Sequence, residues 1–300
     1  MATATLGNAA YEQEFSARLY KRELICAGVT TGVAVLFASP LAGWLFALEV
    51  IARKFRNTLL LSCTASALVA WAFIALFDNK SLLPFQVSGW HWYALLFFLL
   101  ISLLGGVLSA YFTWLLTRMK RFFSGIQSNF LRVNSGALLV GLLIFAFPLL
   151  YGDSYEGLRE LMHAALSGTA LSLTTVLLLI FLKPLAAALT LGAGGDGGVF
   201  VPSRVAGALL GVLFGSVCNS VFGLHLLLLN CALIGAAATL SAAIYAPFTA
   251  LVLVAGLVPG GYALALPLFL GAVLSRFVSQ KRIPYNVYAY DFYLAAKVAR

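Results

Sequence analysis

The sequence predicts an all-α polytopic membrane protein, and three observations carry that reading. Hydrophobic residues make up 62% of the 300-residue chain and charged ones only 10%, against roughly 45–50% and 25% in globular proteins. The apolar residues fall in long continuous runs, at roughly 26–51, 58–77, 92–117, 135–151, 163–191, 199–229, 230–258 and 262–279. None of these runs alternates with a period of two, which excludes a barrel, and in lipid a helix lets each segment satisfy its own amides. One crossing takes about 20 apolar residues, so the chain has material for about eight to ten full or partial spans.

Several runs are broken or bounded by Pro and Gly, at Ala38-Ser39-Pro40, Gly192 through Gly198, Ala246-Pro247 and Pro259-Gly260-Gly261. Interrupted helices are expected there, and in transporters such breaks often lie beside the substrate. The formal charge of +9 does not point to nucleic acid, because the basic residues sit at segment ends: Arg18, Lys21 and Arg22; Arg53, Lys54 and Arg56; Arg118, Lys120 and Arg121; Lys281 and Arg282. By the positive-inside rule the loops around 53–57 and 118–132 and the segment from 281 are cytoplasmic. The loop around 78–91, with only Asp78 and Lys80, is opposite. The chain reads as a polar segment over 1–20 with no signal-peptide core, a membrane domain over 21–280, and a final segment over 281–300.

A repeat lies within the membrane domain. Setting Gly28 against Gly235 aligns Ala34 with Ser241, Pro40 with Pro247, Leu41 with Phe248, Gly43 with Ala250 and Leu45 with Val252 without a gap. Chance likeness between Ala-rich helices is the alternative, and the shared Pro favours duplication. Inverted repeats are common transporter architecture.

The segment Gly192-Ala-Gly-Gly-Asp-Gly-Gly-Val-Phe-Val-Pro-Ser-Arg204 is the richest in chemistry. Five glycines within seven residues let the backbone approach a ligand. Pro202 suits the first turn of the apolar helix that follows, where its missing amide is not needed. The amides of Val199 and Phe200, at the positive end of that helix, form an anion site without a full positive charge. The alternative is a re-entrant loop that only packs. A phosphate loop is disfavoured, since G-x-x-x-x-G-K-[ST] is absent and no strand precedes the turn.

Here the chain resembles the CLC family of chloride channels and proton-coupled chloride antiporters. The family's G-x-F-x-P motif stands as Gly198-Val-Phe-Val-Pro202, continuing as Gly207-Ala-Leu-Leu-Gly211. Ser39-Pro-Leu-Ala-Gly-Trp-Leu-Phe-Ala-Leu-Glu49, Ala246-Pro-Phe-Thr-Ala250 and Arg282-Ile-Pro-Tyr285 are further matches, in order over about residues 20–290. The resemblance implies a CLC-type helical bundle with inverted repeats, the first partial to about 77 and the second from about 92. It also implies a pore-facing helix from about 281, and a homodimer in a cell or inner membrane. It places Gly198, Val199, Phe200 and the hydroxyl of Tyr285 around chloride or a similar small anion. Without the preceding Pro284, Tyr285 reads equally as an interfacial aromatic like Tyr288 or Tyr290.

Departures from the family matter too. Neither G-x-E-G-P nor G-S-G-x-P occurs; both belong N-terminal to the matched region, so Met1 is expected not to be the true start and the chain not to act alone. Asp196 stands where many members have Pro and is expected to point away from an anion as a turn residue. Val50 occupies the position of the antiporters' cytoplasmic proton acceptor, so channel-like conduction is expected over chloride/proton exchange. Glu49 reads mainly as a structural acid paired with Arg53. Lys183, inside an apolar run, either adds positive potential near the anion path or snorkels.

No enzyme, cofactor or metal site is expected. His91, His163 and His225 have no ligand spacing, and Asp78, Asp153, Asp196 and Asp291 lie near loops or turns. Cys26, Cys63, Cys218 and Cys231 form no Cys-x-x-Cys pair. Two other readings remain: a cation-coupled transporter of another inverted-repeat family, which the near absence of intramembrane acids disfavours, and a non-conducting membrane interaction partner.

Overall fold

The computed structural model describes residues 17–52, 56–77, 85–152, 155–166, 172–288 and 290. The described residues form eleven α-helices and no strand. In order they are α1 Ala17–Leu36, α2 Pro40–Phe46, α3 Asn57–Phe77, α4 Ala94–Ser124, α5 Asn129–Ala146, α6 Tyr155–Leu166, α7 Leu173–Ala193, α8 Phe200–Phe222, α9 Leu228–Ile244, α10 Pro247–Ala255 and α11 Ala265–Arg282. Six helical segments are long and apolar enough to cross a bilayer, among them α3, α4, α5, α7 and α8; the sixth is α11 together with the turn before it. This is an integral, multi-pass membrane protein. At 1.5 Å per residue the 31-residue α4 is about 46 Å long, more than the hydrocarbon thickness, which calls for a tilted path. Of the residues used above, Arg53, Lys54, Asp78, Lys80, Asp153, Asp291 and the Glu49–Arg53 pairing lie outside the described residues.

The predicted runs differ from the helices in one instructive place. Residues 163–191 form one apolar stretch in the sequence, but Ser172 is extended and a new helix, α7, begins after it at Leu173. The helix α6 starts upstream with Glu156, Arg159 and Glu160, charged residues that hid its first turns from a search for apolar runs. Ser172 then opens α7, its hydroxyl accepting from the amide of Thr175 at 3.3 Å, a typical N-cap.

The chain divides into two compact units, one drawn from residues up to Val87 with Phe248–Tyr262, the other from Ser88–Pro247 with the residues from Ala263. In the first, α1 packs on α2 and α3. Gly43 of α2 lies so close to α1 that a Cβ there would overlap the carbonyl oxygen of Thr30. The last turn before Ala52, Ala47–Ile51, is a π-helix carrying Glu49 and Val50, a distortion that often accompanies functional positions.

The second unit is built around α9, whose residues Asn230–Ile244 are all buried against α8, α11 and α4. Small residues make these crossings possible. A Cβ on Gly207 would overlap the carbonyl oxygen of Gly235, and one on Gly235 the carbonyl oxygen of Gly207, while Gly211 faces Cys231 in the same way. Backbones that approach this closely are the usual interface of membrane helices, where dispersion and short polar bonds replace the hydrophobic effect. Two such bonds join α9 to α11: Ser241 Oγ donates to Ala272 O at 2.7 Å and Ser275 Oγ to Ala238 O at 2.8 Å.

The repeat seen in the sequence is visible in the backbone. Pro40 and Pro247 are each the first residue of their helices. Ala38 (φ 48°) and Tyr245 (φ 60°), each two residues before its Pro, are the non-glycine residues of positive φ among those described. They are paired by the same offset that sets Gly28 against Gly235. Each ends the preceding helix in the left-handed conformation, so both copies interrupt their helices by the same turn.

Candidate functional site

The Gly-rich turn joins the C-terminus of α7 to the N-terminus of α8. Gly194 ends α7 with φ 96°, and the amide of Gly195 donates to Thr190 O at 2.9 Å while that of Gly194 reaches Leu191 O at 3.4 Å. This is a Schellman-type ending that glycine adopts without steric cost. Gly198 is different: it is exposed, its φ is not in the left-handed region, and a Cβ there would meet nothing within 4 Å. Within the turn a Cβ would be crowded at Gly195, where it would press against Thr190 at 3.0 Å, and not at Gly198.

Val199 is buried and is the N-cap of α8, and Phe200 is the first helical residue. Unlike Ser39, Ser128 and Ser172, which cap α2, α5 and α7 with their hydroxyls, Val199 offers no side-chain cap. The first amides of a helix have no intrahelical acceptor, and the Gly-rich turn runs directly into this end of α8. Ser203 holds this end in shape from behind: its amide donates to Val199 O at 3.2 Å and its hydroxyl to Val199 O at 2.6 Å and Phe200 O at 3.0 Å. Asp196 is exposed on the turn.

Two cations lie near this end, and nothing in the local sequence marks them. Arg204, one turn into α8, is 1% exposed and the largest of the fully buried side chains. The guanidinium of Arg132 lies over the turn, its Nη2 3.5 Å from where a Cβ on Gly194 would stand. The turn itself carries no Lys or Arg, whereas Arg132 and Arg204 lie close by.

The segment after α11 brings one tyrosine, Tyr288, to Phe200. Tyr285 is half-buried, with its ring centroid 5.2 Å from that of Tyr290, and Arg121 Nη2 donates to the Tyr290 hydroxyl at 3.3 Å. Tyr288, read from sequence as an interfacial aromatic, meets Phe200 at 6.4 Å between ring centroids. The stretch Ile283–Tyr288 is not helical and is tied to the end of α9: Val287 N donates to Ala243 O at 3.2 Å and Asn286 Nδ2 to Ile244 O at 2.9 Å. These bonds satisfy carbonyls that the end of α9 would leave open.

Lys183 does not snorkel. It is 5% exposed in the middle of α7, and its Nζ donates to Gly152 O at 2.9 Å and Leu150 O at 3.3 Å. The ammonium closes the irregular segment after the 3-10 turn Pro148–Leu150, a role for which its sequence position gave no signal.

Comparison with known proteins supplies the frame for this geometry. A family profile described as voltage gated chloride channel matches residues 1–280. The chain belongs to this family. That sets aside the reading as a transporter of another inverted-repeat family. The chain is similar to the voltage-gated ClC-type chloride channel ClcB of Shigella flexneri, 29% identical over 284 residues, covering 92% of this chain and 66% of that protein. It is also similar to the H(+)/Cl(-) exchange transporter ClcA of Yersinia pestis, 26% identical over 267 residues, covering 87% of this chain and 55% of the relative. The chain therefore spans two thirds or less of these relatives' lengths. Among solved structures, a CLC-type fluoride/proton antiporter superposes with a TM-score of 0.73 at 25% identity, over 95% of this chain and 69% of that one.

Proposed function

We propose that this CLC chain carries chloride or a similar small anion across the membrane in a channel-like manner, with no cofactor. In this reading Gly198 leaves room for the anion, and the amides of Val199 and Phe200 hold it. A tyrosine hydroxyl from the segment after α11, that of Tyr285, completes the site from the cytoplasmic side. The single observation that supports it most is the N-terminus of α8, uncapped by a side chain and fed by a Gly-rich turn. Neutral donors hold an anion and still release it, which conduction requires. Tyr288, whose ring lies against Phe200, is a second source for that hydroxyl. We further propose a homodimer in a cell or inner membrane, a membrane domain over 21–280 with the repeats divided between about 77 and 92, and a pore-facing segment from about 281.

Val50 supports channel-like conduction, since valine cannot carry a proton. The competing reading is chloride/proton exchange, the activity named for the Yersinia relative; a non-conducting interaction partner is the third. Bromide-soaked crystals test the site: anomalous density in front of Val199 and Phe200 is expected, and density at interfacial Lys and Arg clusters alone overturns it. Chloride efflux from reconstituted vesicles separates conduction from the non-conducting reading.

A further inference from the structure

Tyr245 ends α9 in a conformation that bulky residues seldom adopt, φ 60° and ψ 35°. The turn itself does not need a tyrosine, because Ala38 makes the repeat-equivalent turn with φ 48° and no polar side chain. What the tyrosine adds is a hydroxyl that leaves its own helix. Its Oη donates to Ile283 O at 2.6 Å, with Tyr285 O also within reach at 3.1 Å. Just after Tyr285 the same stretch is held to the end of α9 by the bonds of Asn286 Nδ2 and Val287 N, and Asn286 Oδ1 accepts from the amide of Tyr288 at 3.1 Å. The strained residue, its phenol and Asn286 together fix the backbone that carries both candidate anion-facing tyrosines.

We propose that Tyr245 is a positioning residue for the anion site: its phenol sets where the Tyr285 and Tyr288 hydroxyls stand, and so sets the affinity for the anion. A non-glycine residue kept in the left-handed region marks a place where surrounding structure over-determines the backbone, as at ligand clamps. Backbone bonds to a phenol define the position of a segment more narrowly than packing does, since hydrogen bonds are directional. This inference rests on the reading of the site given above.

The test is chloride and bromide affinity of the full chain in detergent, measured by isothermal titration for the unaltered protein, Tyr245→Phe, Tyr285→Phe, Tyr288→Phe and the doubles that combine Tyr245→Phe with each. Phenylalanine keeps the ring and the backbone demand at 245 and removes only the hydroxyl. Tyr245→Phe is expected to weaken binding about 3- to 10-fold, the effect of one lost hydrogen bond. One double variant should then bind no worse than its worse single, because both changes act on the same hydroxyl. Unfolding midpoints measured without halide separate positioning from stability: a fall in affinity alongside an unchanged midpoint supports the proposal. If Tyr285→Phe or Tyr288→Phe weakens binding but Tyr245→Phe does not, the positioning role is wrong and the site stands. If halide binding is absent, or indifferent to every tyrosine, the reading of the site fails and the positioning role with it. Should Tyr245→Phe not fold, Asn286→Ala removes the neighbouring tether and must weaken binding in the same direction; unchanged affinity there overturns the proposal.

Discussion

The carboxylate of Glu49 accepts the amide proton of Thr249 at 2.9 Å and its hydroxyl proton at 2.7 Å, with the amide of Phe248 at 3.4 Å. An acid at the end of one repeat's broken helix thereby caps the first turn of the other's, α10. The amides there would otherwise lack acceptors, and a carboxylate at a helix N-terminus gains from the macrodipole as well. The structural role expected for Glu49 is thus played through the backbone of α10.

Glu49→Ala should therefore destabilise the protein by about 1–3 kcal/mol, the loss of charge-assisted bonds that leaves partly buried donors open. Thr249→Val removes only the hydroxyl's share and should cost less. Thermal unfolding in detergent measures both, and an unchanged midpoint for Glu49→Ala would show that the cap contributes nothing.

Chloride flux should run without stoichiometric proton movement. Val50 shares the π-helical turn with Glu49, and the bonds of Glu49 to Thr249 engage the remaining acid of that turn. A relay needs a group that titrates. Reversal potentials in vesicles under a chloride gradient read the coupling directly, and sustained uphill proton transport driven by chloride would refute the channel-like reading.

Two glycines make a contrasting pair. Gly207→Ala drives a methyl group into the carbonyl of Gly235 and should cost about 1–3 kcal/mol or prevent folding, as overpacking does. Gly198→Ala meets no atom, so stability should be retained. Gly198→Val should also fold yet slow chloride efflux by obstructing the turn's open face; full efflux from that variant would remove Gly198 from the anion's path.

Lys183→Met keeps the apolar stem and deletes the ammonium that closes the carbonyls of Leu150 and Gly152. Leaving those acceptors open should cost about 1–3 kcal/mol. Hydrogen exchange in residues 148–152 should rise; protection equal to that of the unaltered chain would contradict this role.

The parts of the fold legible in the sequence are those governed by local rules. Pro40 and Pro247 marked helix starts because a proline cannot sit later in a helix without loss, and the glycines at 192–198 marked a helix ending because Gly194 needs positive φ. The apolar runs gave most spans because lipid demands continuous helices. Tyr245 was not legible: a tyrosine in the left-handed region runs against its own propensity, and its acceptors lie 38 and 40 residues away. Lys183 was undecided for the same reason, its partners being 31 and 33 residues back in the chain. Tyr288 looked like one interfacial aromatic among several, since nothing in the sequence brings it to Phe200. The sequence offers Arg53 as the neighbour of Glu49, whereas its bonds to Thr249 are set by packing across 200 residues and leave no local signal.

The mutual contact of Gly207 and Gly235 has a mechanical consequence. Two helices whose main chains touch cannot slide or rotate past each other by even a fraction of a residue without collision, so α8 and α9 behave as one girder. Any opening and closing within this unit must then come from parts hung on that girder by side chains. The stretch Ile283–Tyr288, suspended from the end of α9 by a phenol and an amide, is such a part.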